Sequence, residues 1–220
     1  TKPVFSNLTF IGPAAQDNQF ENTTAYITGG NYYPGNGSKL GQFQSAIQIR
    51  RSSNLNCYNS VAIGYPVGLL ICNDKGSLTQ SSATSGAINL KNIVFAGMGI
   101  LGSDKDASFK DSLSINASTF DKTAKESFSS TFFKSSGNSN TLYSSNTDVK
   151  ISQPNSLLAS PNWGPLTGSP LTGKSNLFTN ENLSSSFFDK VTFIGAFRSD
   201  VSVDDWTAGW ANFNPQNTTY

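Results

Sequence analysis

Apolar positions in this chain come in short β-branched and aromatic runs, at residues 4–10, 46–50, 55–63, 68–71, 87–96 and 191–197, separated by Gly, Pro and Asn. Runs of this kind bounded by turn residues predict strands. Several are apolar on both faces, which suits strands buried in a parallel sheet better than hairpins. Asn36-Gly37 is a hairpin signal, but it lies in a polar loop without matched strands beside it. Helical periodicity is scarce: residues 121–128 (DKTAKESF) are the main candidate, and they hold no i, i+3, i+4, i+7 apolar stripe.

A degenerate repeat organises these runs. Residues 7–12 (NLTFIG), 59–64 (NSVAIG), 92–97 (NIVFAG) and 190–195 (KVTFIG) share one frame, a polar leader followed by an apolar strand closed by Gly. Asn can stack and hydrogen-bond along a ladder, the apolar residues can stack into a core, and Gly permits a corner with positive φ. The glycines are 52, 33 and 98 residues apart, so loops must be inserted. Residues 45–50, 55–63 and 67–71, with a corner at Gly64-Tyr65-Pro66, read as one coil with three short faces. Such a coil matches a parallel β-helix at about 25–30 residues per turn. The expected architecture is an all-β solenoid, a parallel β-helix forming a single domain over 1–220. Its rungs fall at about 1–97 and 186–200, with an irregular insertion at about 98–185 and a cap at 201–220.

Three stretches break the pattern: the polar, aromatic-bearing residues 16–42, the Ser-, Asn- and Lys-rich residues 103–158, and the proline-bearing residues 155–182, which read as extended coil wrapping the solenoid. In the tail, Trp206, Trp210 and Phe213 follow i, i+4, i+7 spacing. One apolar face there could serve as the structural cap that an open solenoid end needs.

Composition narrows the chemistry. Charged residues make up 13% of the chain, with Ser, Asn, Thr and Gly in their place. That is about half the usual share. The net charge is +1 and the nearest approach to a basic patch is Arg50-Arg51, which argues against nucleic-acid binding. No apolar stretch is long enough to span a membrane. There is no histidine, which removes the usual general base, zinc ligand and Ser-His or Cys-His pair. Cys57 and Cys72 read either as small buried hydrophobes or as a disulfide.

Residues 3–13, 49–51, 58–60, 64–71, 187–197 and 205–210 (DWTAGW) resemble the C-terminal region of uncharacterised β-helix surface proteins, mostly lipoproteins, of Bacteroidetes-type bacteria. The resemblance implies that the β-helix is right-handed and that the chain is exported and held at the outer membrane through an N-terminal lipid. It also implies an N-terminal part of the same β-helix preceding Thr1, and a natural terminus at Tyr220. It carries no catalytic residues. Cys57, Cys72 and the long Ser- and Lys-rich insertion depart from the family pattern.

Polysaccharide-cleaving β-helices rely on clustered carboxylates, or on an Arg or Lys base with calcium. The acids here (Asp104 with Asp106, Asp200, Asp204 with Asp205) fall in loops and the tail rather than on neighbouring ladder positions. No catalytic residue is assigned. Asp104 and Asp106 lack the ligand count of a calcium cage, so no metal site and no cofactor are expected. Asp204 and Asp205 read as solvating or capping residues. Arg50 and Arg51 are candidates for an ion pair or an anion site. Tyr26, Tyr32 and Tyr33 could stack on sugar rings or fold down to anchor their loop. The functional expectation is a non-catalytic surface scaffold or adhesive module. The alternative is a glycan-binding or carbohydrate-active component of a nutrient-capture system, with surface glycans or other outer-membrane proteins as partners.

Overall fold

The computed structural model describes residues 2–16, 45–73, 78–105, 110–111, 126–154, 161–213 and 215. Twelve short strands run through them: β1 (Val4–Ser6), β2 (Thr9–Ile11), β3 (Ser45–Ile49), β4 (Asn56–Tyr58), β5 (Val61–Ile63), β6 (Val67–Ile71), β7 (Asn89–Lys91), β8 (Val94–Ala96), β9 (Ile100–Ser103), β10 (Thr141–Tyr143), β11 (Ile151–Gln153) and β12 (Asn162–Pro165). Three sheets are parallel, with orders β1-β4-β7, β10-β8-β5-β2 and β3-β6-β9; β11 and β12 pair antiparallel. Helices α1 (Pro13–Gln16), α2 (Thr79–Thr84) and α3 (Phe128–Lys134) lie between strands, with several 3-10 turns.

Three successive passes of the chain each give one strand to each parallel sheet, in matched register, and β10 adds a fourth strand to the second sheet alone. Phe5, Cys57 and Leu90 align across one sheet, Phe10, Ala62 and Phe95 across the next, and Ile47 with Leu69 across the third. Their inward side chains meet in one cluster that includes Cys57, Ala62, Leu69, Ile71, Leu90 and Phe95. The alternate residues of β5 and β8 (Val61, Ile63, Val94, Ala96) face the other way. They are buried in a second cluster with Val149, Ile151, Leu171, Leu177 and Ile194. This explains the unbroken apolar runs: a strand covered on both faces has no polar side.

The expected fold class is corrected. The described chain is not a single all-β right-handed β-helix solenoid. Its short strands are distributed over several separate parallel sheets accompanied by helices, which fits an α/β arrangement with parallel sheets. Helix α3 arises where a Ser- and Thr-rich segment finds partners for its first backbone N–H groups. In α3 the Ser127 side chain accepts from Ser130 N, and the buried Asp104 carboxylate accepts from Phe128 N at 2.7 Å and Ser129 N at 2.9 Å. Asp111 takes Ser127 N at 2.8 Å and Ser130 Oγ at 2.8 Å. The helix then lays Phe133 on Phe95, ring centroids 4.6 Å apart, against the inter-sheet cluster.

Residues 190–195, expected as a rung, form no strand. They cross over the second sheet instead: Gly195 N donates to Asn59 O at 2.9 Å and Ala196 N to Thr9 Oγ1 at 2.9 Å, while Ile194 enters the second cluster. The aromatic tail does not cover the inter-sheet core. Trp206 stacks on Phe197 and on Trp210, Phe213 meets Trp163 edge-on, and the two indoles stay 54% and 69% exposed. Residues 206–210 form turns rather than the helix that i, i+4, i+7 spacing requires, and the three rings gather around Phe197 and Trp163 instead.

Candidate functional site

The frame leaders build the site. Asn7, Asn59 and Asn92 all have left-handed backbones, with φ of 58°, 51° and 55°. Each stands two residues before a strand of the second sheet, β2, β5 and β8. Ser139 (φ 53°) holds the same place before β10. Asn is the non-glycine residue best suited to this conformation. The side chains form a directed chain. Asn92 Nδ2 donates to Asn59 Oδ1 at 3.0 Å, Asn59 Nδ2 to Ser6 Oγ at 3.0 Å, Ser6 Oγ to Asn7 Oδ1 at 2.6 Å, and Asn7 Nδ2 to Phe193 O at 2.7 Å. A second step of the ladder joins Asn89 Nδ2 to Asn56 Oδ1 at 2.7 Å.

Beside this column lies an open groove of about 620 Å³. That volume falls within the roughly 300–1,000 Å³ typical of small-ligand sites. Its floor comes from consecutive strands and their leaders: Tyr58, Lys91, Asn92, Ser139, Thr141 and Tyr143. Tyr58 and Lys91 are register partners on β4 and β7, and Val94 and Thr141 on β8 and β10. The facing wall is residues 170–180, which carry Lys174, Asn176 and Asn180. Tyr58 pins that wall. Its hydroxyl donates to Asn180 Oδ1 at 3.1 Å and accepts from Asn182 Nδ2 at 2.8 Å. Asn180 also takes Asn182 N at 3.0 Å, which starts the 3-10 turn Glu181–Leu183.

Burial pushes the Tyr58 phenol above its ordinary pKa; the hydrogen bond from Asn182 opposes this, and the charges of Glu181 and Cys57 add to it. The phenol is therefore a fixed neutral donor and acceptor rather than a base. Among the described residues the lining holds four amides (Asn92, Asn138, Asn176, Asn180), four hydroxyls (Ser139, Thr141, Ser175, Thr179), two tyrosines and two lysines, and no carboxylate. Such a set offers paired donors and acceptors to a polar ligand.

The residues singled out from the sequence lie elsewhere. Tyr26, Tyr32, Tyr33 and Asp106 fall outside the described residues. Arg50 follows β3, and its carbonyl accepts from Ser53 N at 3.2 Å; Arg51 is exposed in a left-handed turn, and neither lines the groove. Cys57 on β4 and Cys72 just after β6 are both buried, and the possible disulfide between them is not formed. Burial raises the Cys57 pKa, against the hydrogen bond to Ser60. Asp205 Oδ1 accepts from Thr207 N and Oγ1, and Asp204 from Ser199 Oγ. Among the described residues no group of three or more His, Cys, Asp or Glu could hold a metal. None of their helices is long and apolar enough to cross a membrane.

The groove residues were missed from sequence because they are scattered and chemically ordinary. The usable signal was register. Lys91 immediately precedes a frame leader, as Tyr58 does, so one repeat position supplies both. Comparison with protein families, curated proteins and solved structures finds no match.

Proposed function

We propose that this chain is a non-catalytic binding module displayed outside the cell, and that its groove takes a saccharide. The observation carrying this reading is the lining: amides, hydroxyls and two tyrosines around one concavity, with no carboxylate among its described residues. Sugar hydroxyls need many paired donors and acceptors, which amides supply together, and an aromatic ring offers a face for the C–H side of a pyranose. The low charge and the Ser- and Asn-rich composition support an extracellular setting. Surface glycans are then the natural partners.

A glycan array followed by calorimetry tests the reading, together with an assay for released reducing ends and for unsaturated sugar products. Binding without turnover is expected, weakened by Asn180→Ala and by Tyr143→Ala. Turnover of any bound glycan would replace the module with an enzyme. Failure to bind any glycan would remove the reading.

A further inference from the structure

Within that saccharide-binding reading, the geometry points to an acidic oligosaccharide, carrying carboxylates or sulfates, with Lys91 and Lys174 as its anion contacts. The two lysines enter from different parts of the fold. Lys91 ends β7 on the floor, and Lys174 stands on the facing wall, where its backbone N–H is fixed to Thr192 O at 2.7 Å. Both side chains are only partly exposed. Among the described residues neither makes an ion pair, whereas Lys134 is paired with Glu126. In a chain with 13% charged residues and a net charge of +1, two ammonium groups line one concavity with no carboxylate among its described lining residues; the Glu181 charge that reaches Tyr58 opposes them, and two cations still outnumber that one anion. Low-dielectric walls focus that field on whatever enters. An ammonium is a compact point charge with three donors, which suits a carboxylate or sulfate oxygen without demanding a fork geometry. The neighbouring amides and hydroxyls then remain for the uncharged hydroxyls of the same ligand.

The test is calorimetry on the full chain with four probes: a galacturonic acid trisaccharide, a sulfated galactose trisaccharide, neutral galactotriose and inorganic sulfate. At least one acidic trisaccharide should bind about tenfold or more tighter than the neutral one. Lys91→Gln and Lys174→Gln should each weaken it by about five- to tenfold and weaken the neutral trisaccharide by clearly less. Lys91→Arg and Lys174→Arg, which keep the charge, should retain most of the affinity and so separate loss of charge from loss of fold. Salt at about 0.5 M should weaken the acidic ligand selectively, since screening then acts over a few ångströms. The two acidic arms decide between carboxylate and sulfate. Equal binding of neutral and acidic sugars, or indifference to both Gln variants, overturns the inference and leaves the saccharide module standing. Sulfate alone binding as tightly as the trisaccharides also overturns it. No binding of any sugar sinks both.

Discussion

Left-handed residues are where this chain turns from one sheet into the next, and they set its most sensitive positions. Gly64 has φ +68°, and a Cβ there would run into the backbone nitrogen of Ala15. Gly86 has φ +79° with nothing within 4 Å of a Cβ. Gly64→Ala should therefore cost about 2–4 kcal/mol and Gly86→Ala only about 1, in urea unfolding, because the first adds overpacking to backbone strain. Equal losses would show that φ alone matters. Burial also makes the molecule alkali-sensitive. Cys57, Tyr58 and Tyr65 all have raised pKa values, chiefly through desolvation. A group whose folded pKa is raised contributes stability fully present below its unfolded value and lost as pH climbs through the folded one. With ordinary thiol and phenol values of about 8.5 and 10, Tm should be insensitive to these groups at neutral pH and fall from about pH 9 upward. The fall should be shallower in Tyr58→Phe. A flat profile to pH 11 would contradict the burial argument. The leaders Asn7, Asn59 and Asn92 and the closing glycines were legible in the sequence. Ser139 was not, because β10 (Thr-Leu-Tyr) has a weak apolar run and no closing Gly, so nothing local marks it as the fourth member.

At the scale of elements, α3 shows what sequence pattern hides. Its residues FSSTFFK have the Ser, Thr and Phe content of a strand, and no apolar stripe of helical period precedes them. What makes them helical lies 24 and 16 positions away, in the carboxylates of Asp104 and Asp111 that receive the first N–H groups. Parallel strands were readable from runs apolar on both faces, since that property is local. The helix was not, since its decisive partners are remote. Asp104→Ala should cost about 2–4 kcal/mol, because it strands buried donors as well as deleting a cap. Phe133→Ala, at the other end of the same helix, should cost about 3–5 kcal/mol by opening a void against Phe95. Both are read from chemical denaturation. If Asp104→Ala is near neutral, Asp111 alone suffices to start the helix.

For the whole molecule, the second sheet is the wall shared by two apolar clusters, with Phe95 facing one and Val94 the other. The clusters should therefore melt together. Ile194→Ala should lower stability by about 2–4 kcal/mol and shift one common transition. That transition should appear at the same urea concentration in tryptophan fluorescence, which reports Trp163, Trp206 and Trp210, and in far-ultraviolet circular dichroism. An earlier fluorescence step would show that residues 146–197 detach on their own. The amide chain from Asn92 through Asn59 and Ser6 to Asn7 and Phe193 O crosses this same wall with every donor pointing one way. Aligned dipoles polarise one another, so partial negative charge accumulates at the carbonyl end of the relay. The end concerned is not Phe193 O but the side-chain Oδ1 of Asn92, the first donor, whose residue lines the groove beside Lys91. A sugar hydroxyl meeting the two would find a strengthened acceptor and a cation side by side. Breaking the relay at Asn59, out of reach of any ligand, should be felt there as weaker binding.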